Sequence, residues 1–183
     1  TNIGAGRVVA MDLGQIGLAI EDGSFFLNPE LLDFIEALKS TGGTAHLMGV
    51  VSDGGVHGHL DHIVAAAQAI TGEGVPVAIH AITDGRDVAP TSGAEFIAAL
   101  SERLPEGARI ATVTGRYYAL DRDNRWKRVR AAYMAIVEGH ADHRADSASA
   151  AIAAAYGRAE TDEFIAPTLI GDYAGARDED GVF

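Results

Sequence analysis

Three short segments hold most of the side chains that could do chemistry. Residues 52–59 (S-D-G-G-V-H-G-H) set paired glycines beside His57 and His59 just ahead of a helical pattern, so exposed backbone amides there could receive an anion next to His57. Read on to Asp61 and His62, the same histidines spell H-x-H-x-D-H, a spacing that also suits a zinc-dependent hydrolase. A zinc site would need more ligands from later loops. The later histidines, however, are His80 inside a strand pattern and His140 and His143 after a helix. Residues 83–90 (T-D-G-R-D-V-A-P) place Arg86 beside Asp87. A guanidinium can grip phosphate or carboxylate with two hydrogen bonds while the carboxylate accepts the proton of a nearby hydroxyl. The plainer role for such a pair is an exposed loop salt bridge. Residues 114–126 (T-G-R-Y-Y-A-L-D-R-D-N-R-W) bring Arg116, Arg122 and Arg125 among two tyrosines, two aspartates and Trp126. Arg125 and Arg128 are expected on a solvated helix face, and Trp126 in the core.

Charge narrows the ligand. The chain has 183 residues, 14 basic and 26 acidic side chains and a net charge of −12. Residues 116–130 alone carry +4, so the rest of the chain carries −16. Stacked aromatic and Arg side chains can bind nucleic acid, but a body this acidic repels polyanions and anionic lipid. A compact anion is the expected partner, with no nucleic acid and no membrane. Twelve of the 14 bases are Arg, which favours planar, bidentate recognition. With no cysteine, disulfides and thiol chemistry are excluded, which fits a reducing, cytoplasmic setting.

The elements that must position these segments follow from periodicity. Val8 to Asp22 has helical spacing. Asn28-Pro29 makes a cap and first-turn pair ahead of Leu31, Leu32, Ile35 and Leu38, and Gly42-Gly43 stops that helix. Strands are expected at Ala45 to Val51, Val75 to Ile82 and Arg109 to Val113. Between and after them come helical patterns: Leu60 to Ile70, Pro90 to Leu104, a helix from about Asn124 with Trp126, Val129, Tyr133, Ile136 and Val137 on one face, and an alanine-rich helix from Ser147 to Tyr156. Strands alternating with helices predict an α/β fold, a mainly parallel sheet with helices on both faces in three layers, α/β/α. Ligands of such sheets sit beyond the carboxyl ends of the strands, where all three segments fall. Residues 1–183 are expected to form one domain.

Taken together, V-S-D-G-G-V-H-G-H at 51–59, H-A-I-T-D-G-R-D-V at 80–88 and T-G-R-Y-Y-A-L-D-R-D-N-R-W at 114–126 resemble the cofactor-independent (2,3-bisphosphoglycerate-independent) phosphoglycerate mutases. The opening T-N-I-G-A-G-R and the later T-D-E-F-I-A-P-T match as well. The resemblance implies an isomerase of glycolysis and gluconeogenesis that interconverts 2-phosphoglycerate and 3-phosphoglycerate. In such enzymes a phosphatase-like domain carries two Mn2+ ions and a phosphorylated serine, and a second domain holds substrate; this chain resembles the second. It implies that His57, Arg86, Asp87, Arg116 and Arg122 hold phosphoglycerate, with Asp87 the acid/base. No metal is expected on this chain, whose partner is the phosphatase-like domain of the same polypeptide. A monomer is expected. Thr1 and Phe183 read like cuts through a longer polypeptide, with residues 1–8 and 179–183 as hinge remnants, and the chain alone is expected to be inactive as a mutase. A zinc hydrolase and a stand-alone phosphoacid-binding module are the alternatives.

Overall fold

Local chemistry sets the first boundaries in the computed structural model, which describes residues 12–183. Helix α1 spans Asp12–Glu21, so the part of the expected Val8 to Asp22 helix before Asp12 lies outside the described residues, as do residues 1–8. A single 3-10 turn, Ser24–Leu27, leads to α2, Pro29–Thr41. The Asn28 side chain accepts from the Leu31 N–H at 3.2 Å, Pro29 occupies the first turn, and Gly42 closes the helix at φ 69°. These are the cap, first-turn and stop positions where Asn, Pro and Gly cost least. Along α2, Leu31, Ile35 and Leu38 are buried at helical spacing, whereas Leu32 lies outside that stripe and is exposed.

From Ala45 the chain alternates: β1 Ala45–Val50, α3 Leu60–Gly72, β2 Val77–Thr83, α4 Gly93–Arg103, β3 Ala108–Gly115. Every residue of β2 is buried, as in a strand covered on both faces. After β3 come the short α5, Arg116–Ala119, then α6, Trp126–Ile136, β4, His143–Ala145, and α7, Ala148–Gly157. A 3-10 turn at Asp162–Phe164, β5 at Thr168–Ile170 and β6 at Gly181–Val182 complete the order. The six strands form one sheet in the order β4-β5-β3-β2-β1-β6. Only the β3–β5 pairing is antiparallel. Residues 179–183 lie along the sheet: Gly181 and Val182 pair with Ala45 and His46, and the Phe183 N–H donates to the His46 carbonyl at 2.8 Å.

The two faces of the sheet differ. On one, Leu47, Val77, Ile79 and Val113 meet buried residues of α2, α3, α4 and α7, including Ile35, Ile70, Ile97, Leu100 and Ile152, in a large aliphatic core. On the other, Ala78, Ala111 and Leu169 meet Ala135 of α6 and Tyr173, a thinner layer with three alanines. Helices therefore cover both faces, giving α/β/α layers. Between β2 and β3 the pairing jumps from Ile79↔Ile110 to His80↔Thr112, leaving Ala111 as the extra residue of a bulge. A buried polar chain crosses the thin face: Asp180 Oδ2 to His46 Nε2 at 3.1 Å, His46 Nδ1 to His80 Nε2 at 2.8 Å, and His80 Nδ1 to Thr112 Oγ1 at 3.0 Å. One direction of donation satisfies every atom. The Thr112 hydroxyl donates to His80, His80 to His46, and His46 to the carboxylate.

The expectation that Trp126 is core is corrected: it is 70% exposed. It stands at the first position of α6, ahead of Ala132 and Ala135, the small residues through which this helix is buried. Tyr133 is also exposed, at the edge of a space of about 260 Å³ that α6 leaves over His46, Met48 and His80 of the sheet.

Candidate functional site

Because β1, β2 and β3 run parallel, their carboxyl ends share one rim, and the three loops that follow meet there. Asp84 ties them together. Its Oδ2 accepts from Ser52 Oγ of the first loop at 2.9 Å. Its Oδ1 accepts from the Arg86 and Asp87 N–H groups of its own loop at 3.3 and 3.1 Å, and from Arg116 Nη1 of the third loop at 2.6 Å. Burial alone would raise the Asp84 pKa. The hydrogen bonds from Asp87 N–H, Arg116, Ser52 and Arg86 N–H outweigh it and hold the carboxyl below its ordinary value. The hub is thus an ionised carboxylate.

Arg116 uses the same Nη1 to reach Asp87 Oδ2, also at 2.6 Å, and the His57 ring lies 3.8 Å from that oxygen. One guanidinium therefore fixes Asp87 in place, and one imidazole faces it. Beside them opens a cavity of about 670 Å³. His57, Arg86, Arg116 and Arg122 line it, so four of the five expected site residues share its wall, with Asp87 immediately behind through Arg116. Arg86 has only a long contact, 3.9 Å, to Glu163. Arg122 has neither hydrogen-bond nor ion-pair partner among the described residues. Both are available to a ligand.

Arg125 and Arg128, expected on a solvated helix face, also line this cavity. The cause is Asp121, whose side chain is 1% exposed. It accepts from the Arg125 N–H at 2.8 Å and lies 3.3 Å from the Arg128 guanidinium, which draws the start of α6 over the rim. Arg128 also stacks on the Tyr117 ring at 3.5 Å, a cation–π contact that holds its plane. Five arginines and three acids, Asp121, Asp123 and Glu163, thus surround the space.

The far wall comes from a segment whose contribution periodicity could not reveal. The Asp162–Phe164 turn is pinned from four directions. Gly93 N–H and Tyr156 Oη donate to the Asp162 carboxylate at 2.7 and 2.6 Å, the Thr83 hydroxyl donates to the Asp162 carbonyl at 2.7 Å, and the Asp162 N–H donates to the Pro90 carbonyl at 2.9 Å. Glycines permit this approach. A Cβ on Gly85 would stand 2.7 Å from the Glu163 nitrogen and one on Gly115 2.4 Å from the Glu163 oxygen, and Gly85 has φ +63°. The turn then presents Glu163 and Phe164 to the cavity, with Phe164 against Tyr117 at 5.1 Å between ring centroids.

The H-x-H-x-D-H string does not converge on a point. His59 caps α3 by accepting the Asp61 N–H, His57 faces Asp87, and Asp61 pairs with Arg103 at 2.7 Å. Among the described residues, no group of three or more His, Asp or Glu side chains is placed to hold a metal ion.

Comparison with known proteins identifies the family. The family model described as BPG-independent PGAM N-terminus matches residues 16–183. Three proteins named 2,3-bisphosphoglycerate-independent phosphoglycerate mutase, from Dinoroseobacter shibae, Cereibacter sphaeroides (strain ATCC 17029 / ATH 2.4.9) and Paracoccus denitrificans, are 72%, 67% and 64% identical over all 183 residues. The chain spans 36% of the length of each. A crystal structure of Leishmania mexicana phosphoglycerate mutase at low cobalt concentration superposes with a TM-score of 0.86 at 30% identity, covering 97% of this chain and 35% of that one. By sequence and by fold, the chain belongs to the family of the N-terminal part of BPG-independent phosphoglycerate mutases.

Proposed function

We propose that this chain is the substrate-holding, phosphotransferase part of a mutase that interconverts 3-phosphoglycerate and 2-phosphoglycerate in the cytoplasm, acting as a monomer. The observation that carries the reading is Arg86 and Arg122 standing with little or no partner on the wall of a cavity whose next layer is the Arg116-held Asp87. Phosphoglycerate is a compact dianion or trianion with one free hydroxyl. Arginines match its phosphate and carboxylate, and a fixed carboxylate matches the hydroxyl.

In this reading Arg86 and Arg122, with Arg125 and Arg128 above them, neutralise and orient the substrate. Positioning and charge neutralisation are most of what phosphoryl transfer asks of a protein. The phosphoryl group leaves one glycerate oxygen for a serine of the phosphatase-like domain and returns to the other oxygen. The oxygen it leaves gains a proton and the oxygen it joins gives one up; Asp87 exchanges both. Arg116 and His57 keep the carboxylate aimed. The family resemblance implies two Mn2+ ions beside the serine on the phosphatase-like domain, where they would activate its oxygen.

Titration calorimetry of the chain with 3-phosphoglycerate tests the holding role. Saturable binding is expected, weakened about tenfold or more in Arg122→Ala, as loss of one charge-assisted contact implies. Equal heats from the parent chain and from Arg86→Ala with Arg122→Ala would remove the cavity from the reading.

A further inference from the structure

The surface shows an imbalance that the rim does not explain. Of the 13 described Lys and Arg side chains, nine pair with a carboxylate and Arg144 donates to the carbonyls of Gly171 and Tyr173. Arg122 is free on the rim. The two that remain are Lys127 and Arg130, and they stand together.

Lys127, Arg130 and Met134 recur at three and four residues along α6, a row adjacent to the Arg125 and Arg128 row that serves the rim. Lys127 and Arg130 line a separate cavity of about 310 Å³ together with His140 and His143. Met134 and the buried Pro167 add apolar lining, and the one acid on its wall is Asp142. Like charges three residues apart on a helix repel, and neither is relieved by a carboxylate although acids outnumber bases 26 to 14 in this chain. A concave wall carrying two unpaired cations and two imidazoles is complementary to a multivalent anion, while its apolar lining suits the carbon skeleton of an organic one.

We propose that this cavity is a second anion site, taking a small organic phosphate or inorganic phosphate on Lys127 and Arg130 with His140 and His143 closing over it. The site is distinct from the rim and does not depend on the phosphoglycerate reading. Both sites share α6, so an anion on the Lys127 row bears on the helix that carries Arg125 and Arg128.

The two sites have separate reporters. In NMR titrations of the full chain with inorganic phosphate, then with 3-phosphoglycerate, the ring resonances of His140 and His143 report the second cavity and those of His57 the rim. Saturable shifts of His140 and His143 in the millimolar range or tighter are expected with phosphate. Their midpoint should weaken at least tenfold in Lys127→Gln with Arg130→Gln, both exposed and unpaired, while the His57 response is kept. Arg122→Ala should do the reverse. Non-saturating shifts, or shifts of His140 and His143 unchanged in the double variant, would sink the second site and leave the rim untouched; loss of the His57 response alone would count against the rim only.

Discussion

Arg116 and Asp84 meet at 2.6 Å where the side chain of Asp84 is 3% and that of Arg116 10% exposed, so the charges that organise the rim are held largely out of water. A pair of this kind is costly to break from one side, because the abandoned charge stays buried. Replacing Arg116 by Ala leaves Asp84 with Ser52 and two backbone N–H donors, which soften the loss. The expected cost is about 2 kcal/mol in urea unfolding. Asp84→Asn should cost a comparable amount and, by loosening Arg116, displace Asp87. A midpoint within error of the parent protein for both variants would contradict the hub.

Asp87 is a different case. Its carboxylate is 23% exposed and its main partner is Arg116. Asp87→Asn preserves shape and should change stability by no more than about 1 kcal/mol. In the complete enzyme it should reduce mutase turnover by at least about a hundredfold, the range of a lost acid/base group. A coupled assay that detects 2-phosphoglycerate formation reads the outcome, and near-normal turnover would take the proton-exchange role from Asp87.

The glycine contacts predict opposite signs at two positions. Gly85→Ala forces a Cβ to within 2.7 Å of the Glu163 backbone nitrogen at φ +63°, so it should destabilise by about 2 kcal/mol or more and weaken phosphoglycerate binding by moving Glu163 and Phe164. Gly72, at the end of α3, has nothing within 4 Å of its Cβ position. Gly72→Ala should stabilise by up to about 1 kcal/mol and leave binding alone. Thermal melts with and without 3-phosphoglycerate separate the two effects.

Two buried groups set the acid limb of stability. Burial, then the neighbouring His46, pushes His80 down from 6.5 to about 3. The unfolded chain takes up that proton near pH 6.5 while the folded one does not, so stability falls as pH drops from 6.5 toward 3. Asp180 acts in the same direction lower down. Burial opposes its ionisation, but hydrogen bonds from Thr44 N–H, Arg177 N–H, His46 and the Arg177 side chain prevail and lower it from 3.8 to about 2, so its contribution is lost as pH falls through that window. Unfolding free energies from urea titrations between about pH 7 and pH 4 should fall with a slope approaching about 1.4 kcal/mol per pH unit, and less steeply in His80→Gln. Parallel slopes for the two proteins would contradict a neutral His80.

Much of this fold was legible because its strands are continuous apolar runs and its helices carry chemical punctuation. Asn28, Pro29 and Gly42 act where their side-chain and backbone preferences place them, and all three rim loops follow strand ends. Three strands escaped because β4, β5 and β6 have three, three and two residues, too few to establish a period. The face of α6 was misread for a related reason. A helix lying on alanines hides its inward stripe among small residues, so Trp126 and Tyr133 imitate a core face that is exposed. In the site, the arginine side chains announced themselves by type. Asp84 did not, since an Asp beside Gly85 reads as an ordinary turn until Ser52 and Arg116 arrive from other loops. Arg125 and Arg128 were hidden differently, by Asp121 only four and seven residues earlier, whose buried carboxylate turns them to the rim.

The pinned turn at Asp162–Phe164 also has a consequence for the time order of folding. Its partners Thr83, Pro90 and Gly93 lie roughly seventy to eighty residues earlier in the chain, so closing these contacts carries a loop-closure cost that local helices do not. As the chain emerges during synthesis, β1 to β3 and the arginines of the third loop are complete well before the segment that walls the cavity. The cavity wall therefore rests on contacts of far greater sequence separation than the β1–β2 and β2–β3 pairings beneath it, which join residues about thirty positions apart, and Gly85, Gly93 and Gly115 are the positions that receive it.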